Sequence, residues 1–177
     1  IPLNSIVSDQ GATNSTTFAQ STLATTSEIG VGKTFDPPVI SLAEVSRLRV
    51  TVYNGRPESL TEFSLLDNFP AGLELAPDPD PFSNCGGTVA LSFPGNTALQ
   101  IDNGSVGPAQ DDAASSCYAE VNVVASAEGS YVNTIPANIL EVRGFPTNHP
   151  ETSARLDVRQ RLIVPTAIDN LTLDAGT

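Results

Sequence analysis

Apolar residues in this chain tend to recur at every second position, the spacing that gives a strand one buried face. In Arg47-Leu48-Arg49-Val50-Thr51-Val52-Tyr53 the alternation is strict, and Leu48, Val50 and Val52 share a face. Asn54-Gly55 follows as a turn signal. Residues 60–66 form a second strand, stopped by Asp67-Asn68-Phe69-Pro70-Ala71-Gly72. Residues 88–93 form a third, closed by Pro94-Gly95-Asn96, and residues 98–101 a fourth, ending at Asp102-Asn103-Gly104. The longest runs from 117 to 127, with Cys117, Ala119, Val121, Val123 and Ala125 on one face. Residues 130–135 and 138–143 follow, and 153–164 is a final strand or a strand with a linker. Prolines sit at strand ends, where a missing N–H does least harm. No stretch sustains a period of 3.6. The pattern predicts an all-β, two-sheet sandwich of about seven or more strands.

The chain also echoes itself. Ile1-Pro2-Leu3-Asn4 matches Ile135-Pro136-Ala137-Asn138, and at the same offset of 134 Thr13-Asn14 matches Thr147-Asn148. A self-match at a fixed offset marks a repeat architecture. Three parts are expected: residues 1–26 as the last strands of a preceding unit or a donor strand, 27–160 as a whole sandwich, and 161–177 as the start of the next unit or a linker. The terminal strands would present Ile1, Leu3, Ile6, Val7, Leu162, Val164, Leu171 and Leu173. Unpaired strands seek a sheet edge, so these residues are expected to add to a neighbouring copy, as in donor-strand complementation. The opening Ile1-Pro2, without Met, reads as a processed or excised piece of something longer.

Charge narrows the partners. The chain has 177 residues, 20 acidic and 8 basic side chains, and a net charge of −12. Clustered Lys and Arg are what phosphate backbones require, so nucleic acid is excluded. Lys33 is the only Lys, which argues against a polybasic membrane patch, and no apolar run of spanning length occurs. Residues 31–140 carry 13 acids and 4 bases, a net −9, while Arg155, Arg159 and Arg161 cluster in the tail. An acidic body with a locally basic tail favours head-to-tail attraction.

Five motifs in order resemble a known family, the bacterial cell-surface repeat domain of unknown function. They are Val31-Gly32-Lys33-Thr34-Phe35-Asp36-Pro37-Pro38-Val39-Ile40, Leu66-Asp67-Asn68-Phe69-Pro70-Ala71-Gly72-Leu73, the cysteines of Asn84-Cys85-Gly86-Gly87-Thr88 and Ser116-Cys117, Gly129-Ser130-Tyr131-Val132-Asn133-Thr134-Ile135-Pro136, and Thr147-Asn148. The resemblance covers nearly all of 29–160. It implies an immunoglobulin-like β-sandwich, tandemly repeated in large secreted or envelope-associated proteins, with paired cysteines and no catalytic residues. The sequence departs from the family in its proline-rich insert at 77–81 and at Val164-Pro165-Thr166.

Candidate chemistry is sparse. Cys85 and Cys117 are too few for a metal site; they either form a disulfide, the expected state in an oxidising compartment, or stay as separate buried thiols. His149, in Thr147-Asn148-His149-Pro150, lacks the partners of a catalytic triad and reads as an exposed loop residue. Asp78 and Asp80, or Asp111 and Asp112, offer loop oxygens to calcium, but no calcium-loop motif surrounds them, so solvated acids and no cofactor are the expectation. Lys33 is a candidate for an isopeptide bond to an Asn beside a buried carboxylate; otherwise its stem snorkels over apolar surface. Asn14, Asn103 and Asn170 open glycosylation triplets. The function expected is a non-enzymatic extracellular module of a surface array or filament. Alternatives are an adhesin that binds a host, matrix or glycan ligand through loops 76–84 and 102–116, or an accessory domain of a larger secreted enzyme.

Overall fold

A computed structural model describes residues 29–91, 97–111 and 113–160. The predicted terminal segments, with Ile1, Leu3, Ile6, Val7, Leu162, Val164, Leu171 and Leu173, lie outside these residues, as do Asn14, Asn170 and Asp112. The described residues form strands and no helix. In order these are β1 (Ile29–Asp36), β2 (Val39–Ser41), β3 (Ser46–Asn54), β4 (Leu60–Asn68), β5 (Leu73–Leu75), β6 (Phe82–Ser83), β7 (Thr88–Ala90), β8 (Ala98–Val106), β9 (Ser115–Ala125), β10 (Gly129–Ile135), β11 (Glu141–Val142), β12 (Phe145–Pro146) and β13 (Thr152–Arg159).

One layer has the order β1-β3-β9-β5, with β6 also on β9; the other runs β12-β11-β4-β8-β7. A third sheet, β10-β13-β2, closes one side, because β10 also contacts β4 and β13 contacts β1. The core lies between the layers. Leu48, Val50 and Val52 of β3 meet Val121, Ala119 and Cys117 of β9 in antiparallel register, and all six are buried. Alternation delivers these faces to the interior, as the sequence predicts.

Several boundaries differ from the sequence reading. β4 does not stop at Leu66 but continues through Asp67 and Asn68, held by pairing to Leu99 and Ala98. β8 does not end at Asp102: it passes through Asn103 (φ 53°) and reaches Val106 by a register shift opposite β4. Gly104 makes that bulge possible, since a Cβ there would lie 2.3 Å from the Phe63 ring. Residues 138–143 do not form one strand; they give a turn and then β11, which folds onto β12 through Arg143 and Gly144, both at positive φ. Gly87 (φ 64°) is demanded twice, because a Cβ there would also meet the Asp102 carbonyl at 2.2 Å.

The proline-rich insert follows the edge of β9. Asn122 N–H donates to Pro79 O, and Asn122 Nδ2 to Asp78 O, between β5 and β6. Prolines suit an edge because they offer no N–H to an incoming strand. Cys85 and Cys117 are bonded and tie the segment after β6 to β9.

Candidate functional site

Three polar side chains enter the core from three strands. β1 turns Ile29, Val31, Lys33 and Phe35 inward, so the strand period itself carries Lys33 inside. β4 does the same with Leu65 and Asp67, and β10 with Asn133 and Ile135. Lys33 Nζ donates to Asp67 Oδ1 at 2.6 Å, and Asn133 Nδ2 donates to Asp67 Oδ2 at 3.1 Å. The side chains of Lys33 and Asp67 are 0% and 1% exposed. The remaining amide atom, Asn133 Oδ1, is buried with no hydrogen-bond partner among the described residues. An orphan of this kind costs about 1–3 kcal/mol.

Burial governs the protonation of this group. Loss of solvent lowers the Lys33 amine below its ordinary value, and the attraction and hydrogen bond of Asp67 only partly restore it. Burial likewise raises the Asp67 carboxyl, against the opposing pull of Lys33 and Asn133. Both directions favour an uncharged amine beside a carboxylic acid. Of these three residues the sequence singled out Lys33 alone. Asp67 is hidden because Asp67-Asn68 reads as a turn although β4 runs two residues past Leu66, and Asn133 because it sits inside a family motif. The available signal was the period of two, extended past Leu65 and counted back from Ile135.

The outer face of the β1-β3-β9 sheet is polar and aromatic. Arg47 donates to the backbone oxygen and Oδ2 of Asp80 at 2.8 and 3.0 Å, and to Asn122 Oδ1. Arg49 pairs with Glu120 and lies over the Tyr118 ring, 4.2 Å from its centre. Phe82, exposed, stands 5.7 Å from the same ring. Thr34, Asp36, Arg47, Arg49 and Glu120 line a hollow on this face.

The other candidates are dispersed. Asp78 is exposed and contributes its backbone oxygen to Asn122, while the exposed Asp80 carboxylate pairs with Arg47. Asp111 sits in the turn closed by Gln110 and Ala113, and Asn103 is an exposed bulge residue of β8. No cluster of three or more His, Cys, Asp or Glu able to hold a metal occurs among the described residues. No helix among the described residues is long and apolar enough to cross a membrane.

His149 corrects an expectation. It is not an exposed loop residue but is 1% exposed. Its Nε2 accepts the Leu140 N–H at 3.0 Å, and its Nδ1 lies 2.8 Å from Pro150 O. Because a backbone N–H can only donate, Nε2 must carry the lone pair and Nδ1 the proton. The ring is a peg for the 138–149 segment, which also closes through Thr147 N–H to Leu140 O at 2.8 Å. Tyr131, by contrast, does what sandwich corners require: its hydroxyl donates to Ala127 O at 2.8 Å.

Together these features define an immunoglobulin-like β-sandwich. A cohesin module from a Clostridium perfringens family 33 glycoside hydrolase superposes with a TM-score of 0.52 at 12% identity, covering 77% of this chain and all of that one. A type I cohesin from Pseudobacteroides cellulosolvens gives 0.48 at 11%, covering 80% and 97%. The collagen adhesin of S. aureus gives 0.42 at 8%, covering 76% and 50%. At such identities the likeness concerns the fold alone. The chain belongs to the family described as a domain of unknown function (DUF7933), which matches residues 30–158. No curated protein matches it.

Proposed function

We propose that this chain is a non-enzymatic, extracellular β-sandwich module of a surface array or filament. The observation that carries the reading is the interior placement of its sole Lys and sole His, the side chains best suited to act as base or nucleophile at neutral pH. Neither lines the hollows formed by residues 74–77 and 79 with Leu91 and Val124, by Gly55 and Pro57 with Ala109, Asp111 and Ala114, or by Thr34, Asp36, Arg47, Arg49 and Glu120. The Cys85–Cys117 bridge supports an oxidising compartment. Head-to-tail assembly by strand addition through residues 1–24 or 159–177 is the finer part of the proposal, favoured by a local cluster of Arg in the tail against an acidic body. Electron microscopy of the purified full chain, beside a chain lacking residues 1–24, tests it. Filaments lost on deletion are expected; unchanged assembly and thermal stability would refute strand donation.

The exposed Phe82 with Tyr118 and Arg49 supports a second reading, a module that binds a matrix or glycan ligand beside residues 76–84. Signal on a glycan or matrix-protein array that disappears when 76–84 is trimmed is the expected result under that reading. Signal unaffected by trimming would place the contact elsewhere.

A further inference from the structure

We propose that Lys33 and Asn133 become joined by an intramolecular isopeptide bond, with Asp67 carrying the proton between their nitrogens. The two ends of one carboxyl group hold the attacking amine and the target carboxamide side by side, Nζ on Oδ1 at 2.6 Å and Nδ2 on Oδ2 at 3.1 Å. Positioning of this kind turns an otherwise improbable encounter into a unimolecular step. All three side chains are sealed from water. A lysine is a nucleophile only when unprotonated, and burial favours that form here.

A purely structural role explains the group poorly. Apolar residues of similar volume replace buried ion pairs with little or no loss of stability. An amide placed only to support Asp67 would still leave Asn133 Oδ1 orphaned. Both features make sense if the amide is a reactant, because Oδ1 is bonded to the carbon that is attacked.

The step balances without any further reagent. The Nζ lone pair attacks Asn133 Cγ, and the carbonyl π electrons move onto Oδ1. Asp67, a carboxylic acid with its proton on Oδ2, receives a proton from Nζ at Oδ1, which Nζ already faces, as Oδ2 gives up its own. Once Cγ is tetrahedral, Nδ2 is a basic amine and takes a proton from Asp67 Oδ2. The C=O bond re-forms, the Cγ–Nδ2 bond breaks, and ammonia leaves. Amine and carboxamide have become a secondary amide and ammonia, and Asp67 is again a carboxylic acid, its proton now on Oδ1.

Mass spectrometry of the full-length chain tests this. After reduction of the disulfide, the folded chain is expected to weigh about 17 Da, one ammonia, less than its sequence mass. Trypsin has no site between Arg56-Pro57 and Arg143, so the bond should appear as residues 1–47 attached to residues 50–143, with Lys33 uncut. Lys33→Arg, Asp67→Ala and Asn133→Ala are each expected to show the unshifted mass. An unshifted parent mass would overturn the proposal. So would a loss of about 18 Da, which joins Lys33 to Asp67 instead, or a 17 Da loss with separate peptides, which marks an Asn cyclised elsewhere. A bond formed equally fast in Asp67→Ala would remove Asp67 from the chemistry.

Discussion

Burial of Asp67 in the core reverses the usual pH behaviour of a carboxyl, and Lys33 masks the reversal. Before any bond forms, an amine–acid pair and an ammonium–carboxylate pair hold the same number of protons. Unfolding near neutrality therefore exchanges none through the pair. Lys33→Met separates the two effects. Asp67 then keeps the upward shift that burial imposes, without its counter-charge. The folded chain holds a proton that the unfolded chain releases above about pH 4. Stability should therefore fall as pH rises from the ordinary carboxyl value to the raised one, by up to about 1.4 kcal/mol per pH unit. Urea midpoints across that window check the sign; a flat or rising profile would mean that Asp67 ionises freely in the folded chain.

At the scale of elements, much was legible because alternation is a backbone property. The sequence predicts β3 to within one residue at each end and β9 to within two, since Leu48, Val50 and Val52 and the run from Cys117 to Ala125 alternate without interruption. Where the period slips, the reading failed. β8 carries a bulge at Asn103, and a polar Asp-Asn-Gly triplet inside a strand is indistinguishable from a turn until β4 is seen opposite it. The 138–149 segment is opaque for another reason: beyond the two-residue ladders of β11, a side chain helps to hold it. His149 supplies the acceptor for Leu140, and nothing local in Thr-Asn-His-Pro announces a partner nine residues away. His149→Ala should cost about 1–3 kcal/mol by leaving the Leu140 N–H buried and unpaired. Calorimetric Tm and the exchange rate of that amide measure the effect; an unchanged rate would mean that the ring is not its partner.

For the molecule as a whole, the consequence of the Lys33–Asp67–Asn133 cluster is mechanical. β1 belongs to one layer and β10 to the sheet that closes the side, and they are not hydrogen-bonded neighbours. Tension applied across the described chain enters at β1 and leaves at β13. With Lys33 and Asn133 joined, it crosses from β1 to β10 through a single covalent bond. The hundred or so residues between them, roughly 350 Å if drawn out at about 3.5 Å each, never come under load. The Cys85–Cys117 bridge lies inside that sheltered loop and would stay slack. Only the first few residues of β1 and the stretch from β10 through β13 remain extensible, so the sandwich would act as a stiff link in any array that strings it end to end.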